Sequence, residues 1–379
     1  MINMMFLAVF VLFCGIYFLS LLVYIVGSFI RRKVGDVATK EKRVSIVVAL
    51  KNEESRVNNL VKCLVDQDYP SEMYEIILVD DSSTDSTYTR LIKYVGMFPN
   101  LRVFSTRNAS TNLRFKKAAI DLGIKNATGE IILITDADCI VGRKWVSGMV
   151  KYFQQGVGFV IGCSVLKHWE TVFTKLQSLD FMMLMNASRA TANLGIPWAC
   201  NGHNIGFKRE LYLKMGGFSE ISHLVAGDDS VFMNIFLERT GTKAVFAENR
   251  ETWVYSEALG HVKDFILQRI RWAADANYMY RVNGIFFVVI LSTFLVNLFS
   301  LILPVAALFW SSPLPYLAIG VAIKFVLEFL NCVASVKFFK DYNLLRYFPL
   351  WFIFEIPYIV LMGILSFWGN GMSWYRNRK

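Results

Sequence analysis

The chain opens on an uncharged apolar run, Met4 to Ile30, followed at once by Arg31, Arg32 and Lys33 and a polar linker to about Arg43. That run is long enough to cross a bilayer, too long for the core of a signal peptide, and has no basic residues before it. The pattern then changes. Val44 to Leu50 is a short β-branched run that predicts a buried strand. Val57, Leu60, Val61, Leu64 and Val65 recur at helical spacing until Asp68-Tyr69-Pro70 stops them. Tyr74 to Val79, Leu101 to Phe104 and the Ile/Leu run after Glu130 predict further strands, with a helix over Phe115 to Lys125. Strands alternating with helices define an α/β fold built on a doubly wound, mostly parallel sheet.

Beyond Asp138 the alternation weakens. Val157 to Val165 predicts one strand, Phe173 to Ala192 a helix, and Val245 to Tyr255 another strand. A helix carrying Val231, Ile235 and Phe236 opens at Gly227-Asp228-Asp229-Ser230, and a last amphipathic helix runs from His261 to Tyr280. Three apolar segments close the chain, near Ile285–Trp310, Pro315–Phe338 and Phe348–Trp368, each of spanning length. Lys324 and Glu328 sit one helical turn apart inside the second, placed to pair or to line a polar path. The expected organisation is a membrane anchor over 4–30, a cytosolic domain over 40–282 and membrane segments over 285–370.

Composition sharpens this picture. Of 379 residues, 55% are hydrophobic and 18% charged, with mean hydropathy +0.41, and the apolar excess lies at the two ends. The net charge of +10 comes with basic residues that flank the apolar segments, where anionic lipid attracts them. No basic run interleaved with aromatics is present, which excludes nucleic acid as the expected partner. The six cysteines show no C-x-x-C spacing, which argues against a zinc site and a disulfide framework. The basic cluster after the anchor places the following domain in the cytosol and the protein in the cell's inner membrane. Three closing crossings would then leave Arg376, Arg378 and Lys379 outside. Either the last segment, with Pro349 and Pro357, is re-entrant or interfacial, or the charge rule yields here.

Candidate chemistry gathers where strands end. Asp136 and Asp138 close the Ile/Leu run, and alternate residues on a strand share a face. Asp80 and Asp81 close the second strand. In open α/β sheets ligands sit beyond the carboxyl ends of the strands, so both clusters should meet at one edge. Paired carboxylates there suit a hard divalent cation that also holds phosphate oxygens. Each cluster also has a plain structural use, as turn or helix cap.

Four motifs stand in one order: Val47-Val48-Ala49-Leu50-Lys51-Asn52-Glu53-Glu54, Val79-Asp80-Asp81-Ser82-Ser83-Thr84-Asp85, Asp136-Ala137-Asp138, and Gln268-x-x-Arg271-Trp272. With Asp228-Asp229 between the last two, the set resembles the membrane-bound inverting family 2 glycosyltransferases of the GT-A fold. It is most similar to the branch of cellulose, hyaluronan and poly-N-acetylglucosamine synthases and ceramide glucosyltransferase, over about Val44 to Tyr280. The resemblance implies a nucleotide-sugar donor, UDP-linked, and a glycan or lipid acceptor at the membrane. It implies that Asp80 reads the uracil, with Asn52 and Glu53 lining the nucleotide pocket. Asp138 with Asp136 would hold Mg2+ or Mn2+ on the diphosphate, and Asp229 would be the general base. Gln268, Arg271 and Trp272 would close over the diphosphate and border the acceptor. Lys116 matches the lysine of a Gly-Lys-x-x-Ala-Leu-Asn stretch that here reads Phe115-Lys116-Lys117-Ala118-Ala119-Ile120-Asp121, with Phe115 in place of the glycine and Asp121 in place of the asparagine. Polymerising members read Thr-Glu-Asp where this chain has Gly227-Asp228-Asp229, a departure that bears on processivity rather than on catalysis. Two outcomes therefore stand side by side, a processive polysaccharide synthase and a single-addition glycolipid synthase acting on ceramide, diacylglycerol or polyprenyl phosphate. A transporter or non-catalytic scaffold is the remote alternative, opposed by the presence of every acidic position.

Overall fold

A computed structural model describes residues 2–31, 42–109, 111–168, 170–224, 227–306 and 314–367. Most of the linker and the terminal basic cluster, Arg376 to Lys379, lie outside these. The described chain divides into two compact units. One holds the sheet and comprises 42–167 and 195–257; the other is helical and comprises 2–31, the stretch 168–194 and the chain from 258 onward.

Ten strands lie in the sheet unit among the described residues: β1 (Val44–Leu50), β2 (Tyr74–Asp80), β3 (Leu101–Ser105), β4 (Ile131–Ile134), β5 (Ile140–Val141), β6 (Val157–Gly162), β7 (Ser164–Lys167), β8 (Ile205–Lys208), β9 (Lys243–Ala247) and β10 (Val254–Glu257). Seven form one sheet in the order β3-β2-β1-β4-β8-β6-β9. β1 to β4 are mutually parallel, whereas β8 runs antiparallel to both β4 and β6. The sheet is thus parallel-dominated, and its one reversal falls in the part of the sequence where alternation weakens.

The sheet is buried on both faces, which explains why β1, β2 and β4 read as continuous apolar runs. Ile46, Val48 and Leu50 pack with Val57, Leu60, Val61 and Leu64 of the helix Val57–Val65. Elsewhere Phe159, Phe207, Phe232 and Phe236 meet at ring-centroid distances of 5.3–6.1 Å. Such edge-to-face and offset contacts favour one packed arrangement over many.

The single strand expected over Val157 to Val165 is two. Its run breaks at Cys163, and β7 joins β5 and β10 in a separate three-stranded sheet. The cause is a buried side chain. Asn204 Nδ2 donates to Cys163 O (2.9 Å) and Thr252 O (2.8 Å) while its Oδ1 accepts from Trp145 Nε1 (3.0 Å). A Cβ on Gly162 would lie 2.1 Å from that amide, so glycine is required at the break. Val245 to Tyr255 divides for the same reason into β9, a 3-10 turn over Arg250–Thr252 and β10.

Among the described residues of the helical unit, four helices are long and apolar enough to cross a membrane: Ala8–Phe29, Gly284–Ile302, Pro315–Phe339 and Tyr342–Leu365. Their outward faces expose Leu12, Leu19, Ile285 and Ile353, far more apolar surface than water tolerates in one place. The last is a helix over Phe348–Leu365 with Pro349 in its first turn, where no intrahelical N–H is lost, and Pro357 inside. The helix Val172–Leu194 packs on the first helix at Gly27, where a Cβ would lie 2.4 Å from Ala190 O. There Arg189 and Asn193 donate to Ser28 O (3.1 Å) and Ile30 O (2.8 Å), satisfying carbonyls that a helix end leaves open.

Lys324 and Glu328 do pair, at 2.7 Å, and Glu355 of the last helix joins them at 2.6 Å from the ammonium. Tyr17 donates to Glu328 and Asn297 to Glu355, so four helices meet at one polar cluster that is almost wholly buried. Lys324→Met is expected to destabilise the bundle by about 3–5 kcal/mol, because it leaves two carboxylates without their cation. Thermal unfolding in detergent measures this, and Lys324→Met/Glu355→Leu should recover part of the loss. A single variant that melts with the wild type would show that the cluster holds nothing together.

Candidate active site

β2, β1 and β4 are neighbours and parallel, so their carboxyl ends open onto one edge. The loop after β1 carries Lys51 to Glu54 and the loop after β2 carries Asp81 to Thr87. The two are laced together. Asn52 Oδ1 accepts from Thr84 N (2.8 Å), Asn52 N donates to Ser83 Oγ (3.0 Å), and Glu53 N donates to Thr87 Oγ1 (2.7 Å). Asn52 and Ser82 both hold the left-handed backbone conformation (φ 56° and 55°), which sharp turns at strand ends demand. Asp80 is fully buried and accepts from Ser83 N (3.3 Å) and Ser105 Oγ (3.2 Å). Asp81 is the more open of the pair, bonded by Thr106 Oγ1 (3.1 Å) with Lys51 Nζ at 3.8 Å. Glu53 pairs with Arg56 at 2.5 Å. This edge is polar, and its two loops are held to each other by side-chain-to-backbone hydrogen bonds.

Lys116 is the centre of the arrangement. Its ammonium lies 2.8 Å from Asp136 Oδ1 and 2.9 Å from Asp228 Oδ2. Burial works against its charge, but the two carboxylates overcome it and hold the lysine well above its ordinary range. Asp228 shows the reciprocal effect: burial would raise it, Lys116 outweighs burial, and the acid sits below its usual range. The preceding Phe115 adopts φ 58°, ψ −151°, a conformation open to glycine and costly for a side chain. That is why glycine suits this position in the pattern the stretch resembles, and Phe115 accepts strain there.

Asp138 stands exposed to solvent; desolvation by its surroundings would push the carboxyl up, but His203 and Arg56 outweigh it and hold the group below its usual range. His203 Nε2 lies 3.7 Å from Asp136 Oδ2. One donor atom from each of Asp138, Cys139 and His203 falls within 4.8 Å of the others. Burial first, then Asp138 and Asp136, push the Cys139 thiol well above its ordinary range. An ionised, open carboxylate beside an imidazole fits a divalent cation.

Asp229 caps the helix Ser230–Thr240, its Oδ1 accepting from Ser230 N at 2.5 Å. Ser230 Oγ in turn bonds Cys200 O (2.9 Å), which ties the loop Trp198–His203 to the start of that helix. A Cβ placed on Gly202 would lie 3.5 Å from Lys116 Nζ and 3.6 Å from Asp229 Cβ. The loop that precedes β8 therefore lines the site. Asn201-Gly202-His203 carries no spacing signal along the chain, and only the fold brings it to this edge.

Gln268, Arg271 and Trp272 lie in the helical unit, on the helix Val262–Ala276, where three- and four-residue spacing puts them on one side. The two residues that the pattern leaves free, Arg269 and Ile270, are the buried ones, and Arg269 is the charged one of the two. It pairs with Asp180 at 2.7 Å and stacks 4.3 Å over the Trp272 ring, while Trp351 Nε1 donates to Asp180 at 3.2 Å. The helix is thus fixed by Arg269 with Arg271 left half-buried beside it.

The chain belongs to glycosyltransferase family 2: the model of glycosyl transferase family group 2 matches residues 131–366, more than half its length, and that of glycosyl transferase family 2 matches 45–216. Among curated proteins it is 28% identical to the beta-monoglucosyldiacylglycerol synthase of Nostoc sp. over 62% of this chain and 49% of that one. It is 24% identical to the dolichyl N-acetyl-alpha-D-glucosaminyl phosphate 3-beta-D-2,3-diacetamido-2,3-dideoxy-beta-D-glucuronosyltransferase of Methanococcus voltae, over 63% of this chain and 74% of that one. The chain spans about half the length of the first of these relatives. Among solved structures, a mannosyltransferase from Pyrobaculum calidifontis in complex with GDP-mannose and Mn2+ superposes with TM-score 0.61 at 22% identity, covering 95% of this chain and 98% of that one. The fold is therefore of the GT-A type with its membrane-length helices.

Proposed function

We propose that this protein transfers a sugar from a nucleotide-diphosphate donor, UDP-linked, to the hydroxyl of a lipid acceptor at the membrane, once per acceptor and with inversion. The observation that carries the transferase chemistry is the Lys116–Asp136–Asp228 constellation, which sets Asp138 and Asp229 around one strand edge. The glycolipid acceptor rests on the relatives named for diacylglycerol and dolichyl phosphate substrates and on Gly227-Asp228-Asp229 in place of Thr-Glu-Asp. The transferred group is a hexosyl or N-acetylhexosaminyl unit. The second reading is processive extension of a polysaccharide, favoured by Gln268-x-x-Arg271-Trp272 beside a membrane bundle. Labelled donors offered one by one to membranes decide between them: a single lipid-soluble product supports glycolipid synthesis, a ladder or high polymer supports extension, and no transfer from any donor refutes both.

In this reading the laced loops of Asn52, Glu53 and Asp80 receive the nucleoside. Asp138, with Asp136 beside it, would hold Mg2+ or Mn2+, and the ion would supply neutralisation of charge on the departing diphosphate. Lys116 keeps a fixed positive charge between the metal-side and base-side loops. Asp229 takes the proton of the attacking hydroxyl, and attack from the face opposite the leaving group inverts the anomeric carbon. Arg271 offers the diphosphate a planar, bidentate cation, Gln268 closes over it, and Trp272 gives an apolar face to the acceptor. Residues 4–30 and 285–370 would hold the catalytic region, 40–282, at the inner membrane's cytosolic face.

Arg271→Lys is expected to impair even slow donor hydrolysis by water, with no acceptor present, because it keeps the charge and loses the fork. Equal hydrolysis rates in mutant and wild type would remove Arg271 from leaving-group stabilisation. For orientation, a reporter inserted near Lys93 should be active on the cytosolic side, as the basic residues after the first helix require. Activity only outside the membrane would invert the topology.

A further inference from the structure

We infer that the divalent cation of this site is held by Asp138 and His203 as the protein's two ligands, with Asp136 committed to Lys116, and that the imidazole biases the site toward Mn2+ over Mg2+. The inference rests on the transferase reading and names how this chain builds its metal site.

The two carboxylates of Asp136-Ala137-Asp138 are not equivalent. Asp136 Oδ1 is held at 2.8 Å by an ammonium that also grips Asp228, so a cation using that oxygen would have to displace Lys116 or share its space with a like charge. Among the described residues no such lysine ion pair is formed by Asp138, which is exposed. His203 brings its ring to the same place. Its donor nitrogen, the Asp138 oxygen and the Cys139 sulfur lie within 4.8 Å of one another. An ion bound at about 2.0–2.2 Å to each of two donors spans up to roughly 4.4 Å between them, so a small side-chain turn suffices.

The backbone supports this role. His203 N donates to Asn201 Oδ1 at 2.8 Å, closing a tight turn. The loop is tied to the Asp229 helix through Cys200 and Ser230, and Gly202 lies against Lys116 and Asp229. His203 is thus carried on a braced segment that already borders the reacting residues.

Ligand chemistry then sets the preference. Mg2+ is a hard ion that keeps oxygen ligands and its own waters, whereas an imidazole nitrogen suits first-row transition ions, with affinity rising from Mn2+ to Co2+. A carboxylate–imidazole pair therefore gains for Mn2+ what it withholds from Mg2+. Cys139 is buried beneath the pair and serves packing, not ligation.

The test uses the full chain in lipid nanodiscs with Mn2+ as the probe. Pulsed electron paramagnetic resonance of the bound ion should show a directly coupled nitrogen in the wild type and none in His203→Gln. Titration should show Mn2+ affinity falling at least about tenfold in His203→Gln, since loss of even an outer-sphere partner costs that much. Mg2+ affinity, read by competition, should move by less than about threefold, and Cys139→Ser should bind Mn2+ as the wild type does. His203→Asn serves as a second variant, and circular dichroism confirms that each is folded. A wild-type spectrum without nitrogen coupling, unchanged Mn2+ affinity in both folded His203 variants, or a loss in Cys139→Ser instead, would each overturn the assignment. Sugar transfer measured alongside separates the two readings: transfer with no nitrogen coupling sinks the ligand assignment alone, and absence of transfer sinks the transferase reading.

Discussion

Asp229→Asn is expected to slow sugar transfer by roughly a hundredfold or more while donor binding survives, the usual scale for loss of a general base. The structure makes this an unusually clean substitution. Asp229 caps the helix Ser230–Thr240 through its Oδ1, and asparagine caps as well as aspartate does. The fold and the contact to Ser230 N should therefore persist, and only the ability to accept a proton disappears. Hydrolysis of donor by water should suffer less than transfer, because solvent can take the proton from an attacking water. The measurement is donor affinity, hydrolysis and transfer side by side. If the variant binds donor weakly yet keeps its rate at saturation, Asp229 is a binding or capping residue and the base lies elsewhere.

Asp138→Ala is expected to abolish turnover, by roughly a thousandfold or more, since charge neutralisation by a bound cation contributes several kcal/mol. Donor affinity should fall with it, because the diphosphate loses the ion that it shares with the protein. A chelator should reproduce the effect in the wild type and add nothing in the variant. The residue is exposed and its printed side-chain contact is the weak one from Cys139 Sγ (3.6 Å), so a folded variant is expected and the melting temperature should stay close to that of the wild type. Full activity in excess EDTA would remove the metal from the reaction.

The first four strands, the helix after β1 and the four membrane-length helices were legible from the chain alone. Their signals are local: an apolar β-branched run, a helical recurrence, an uncharged stretch long enough for a bilayer. Family membership was legible too, because its motifs keep their order along the chain whatever lies between them. The second half of the sheet was not. β8 runs antiparallel between β4 and β6, and nothing in Ile205–Lys208 announces its direction, which shows only in its pairing with both neighbours. The division of Val157 to Val165 was hidden for a similar reason. It depends on Asn204, far along the chain, bonding Cys163 and Thr252.

The site divides along the same line. Sequence by itself determined which carboxylates end the strands and which residue types the chemistry has to draw on. Tertiary structure alone decided how they are shared: Lys116 takes Asp136 and Asp228, Asp138 stays open, and His203 is brought to it from a loop without any motif. In the helical unit it decided that Arg269, a position the motif leaves unspecified, anchors the helix through Asp180, and that Lys324 serves Glu355 as well as its helical neighbour Glu328. Spacing along a chain reports which residues share a face of one element. Which charge meets which is settled only when separate elements pack and every buried polar group has to find a partner.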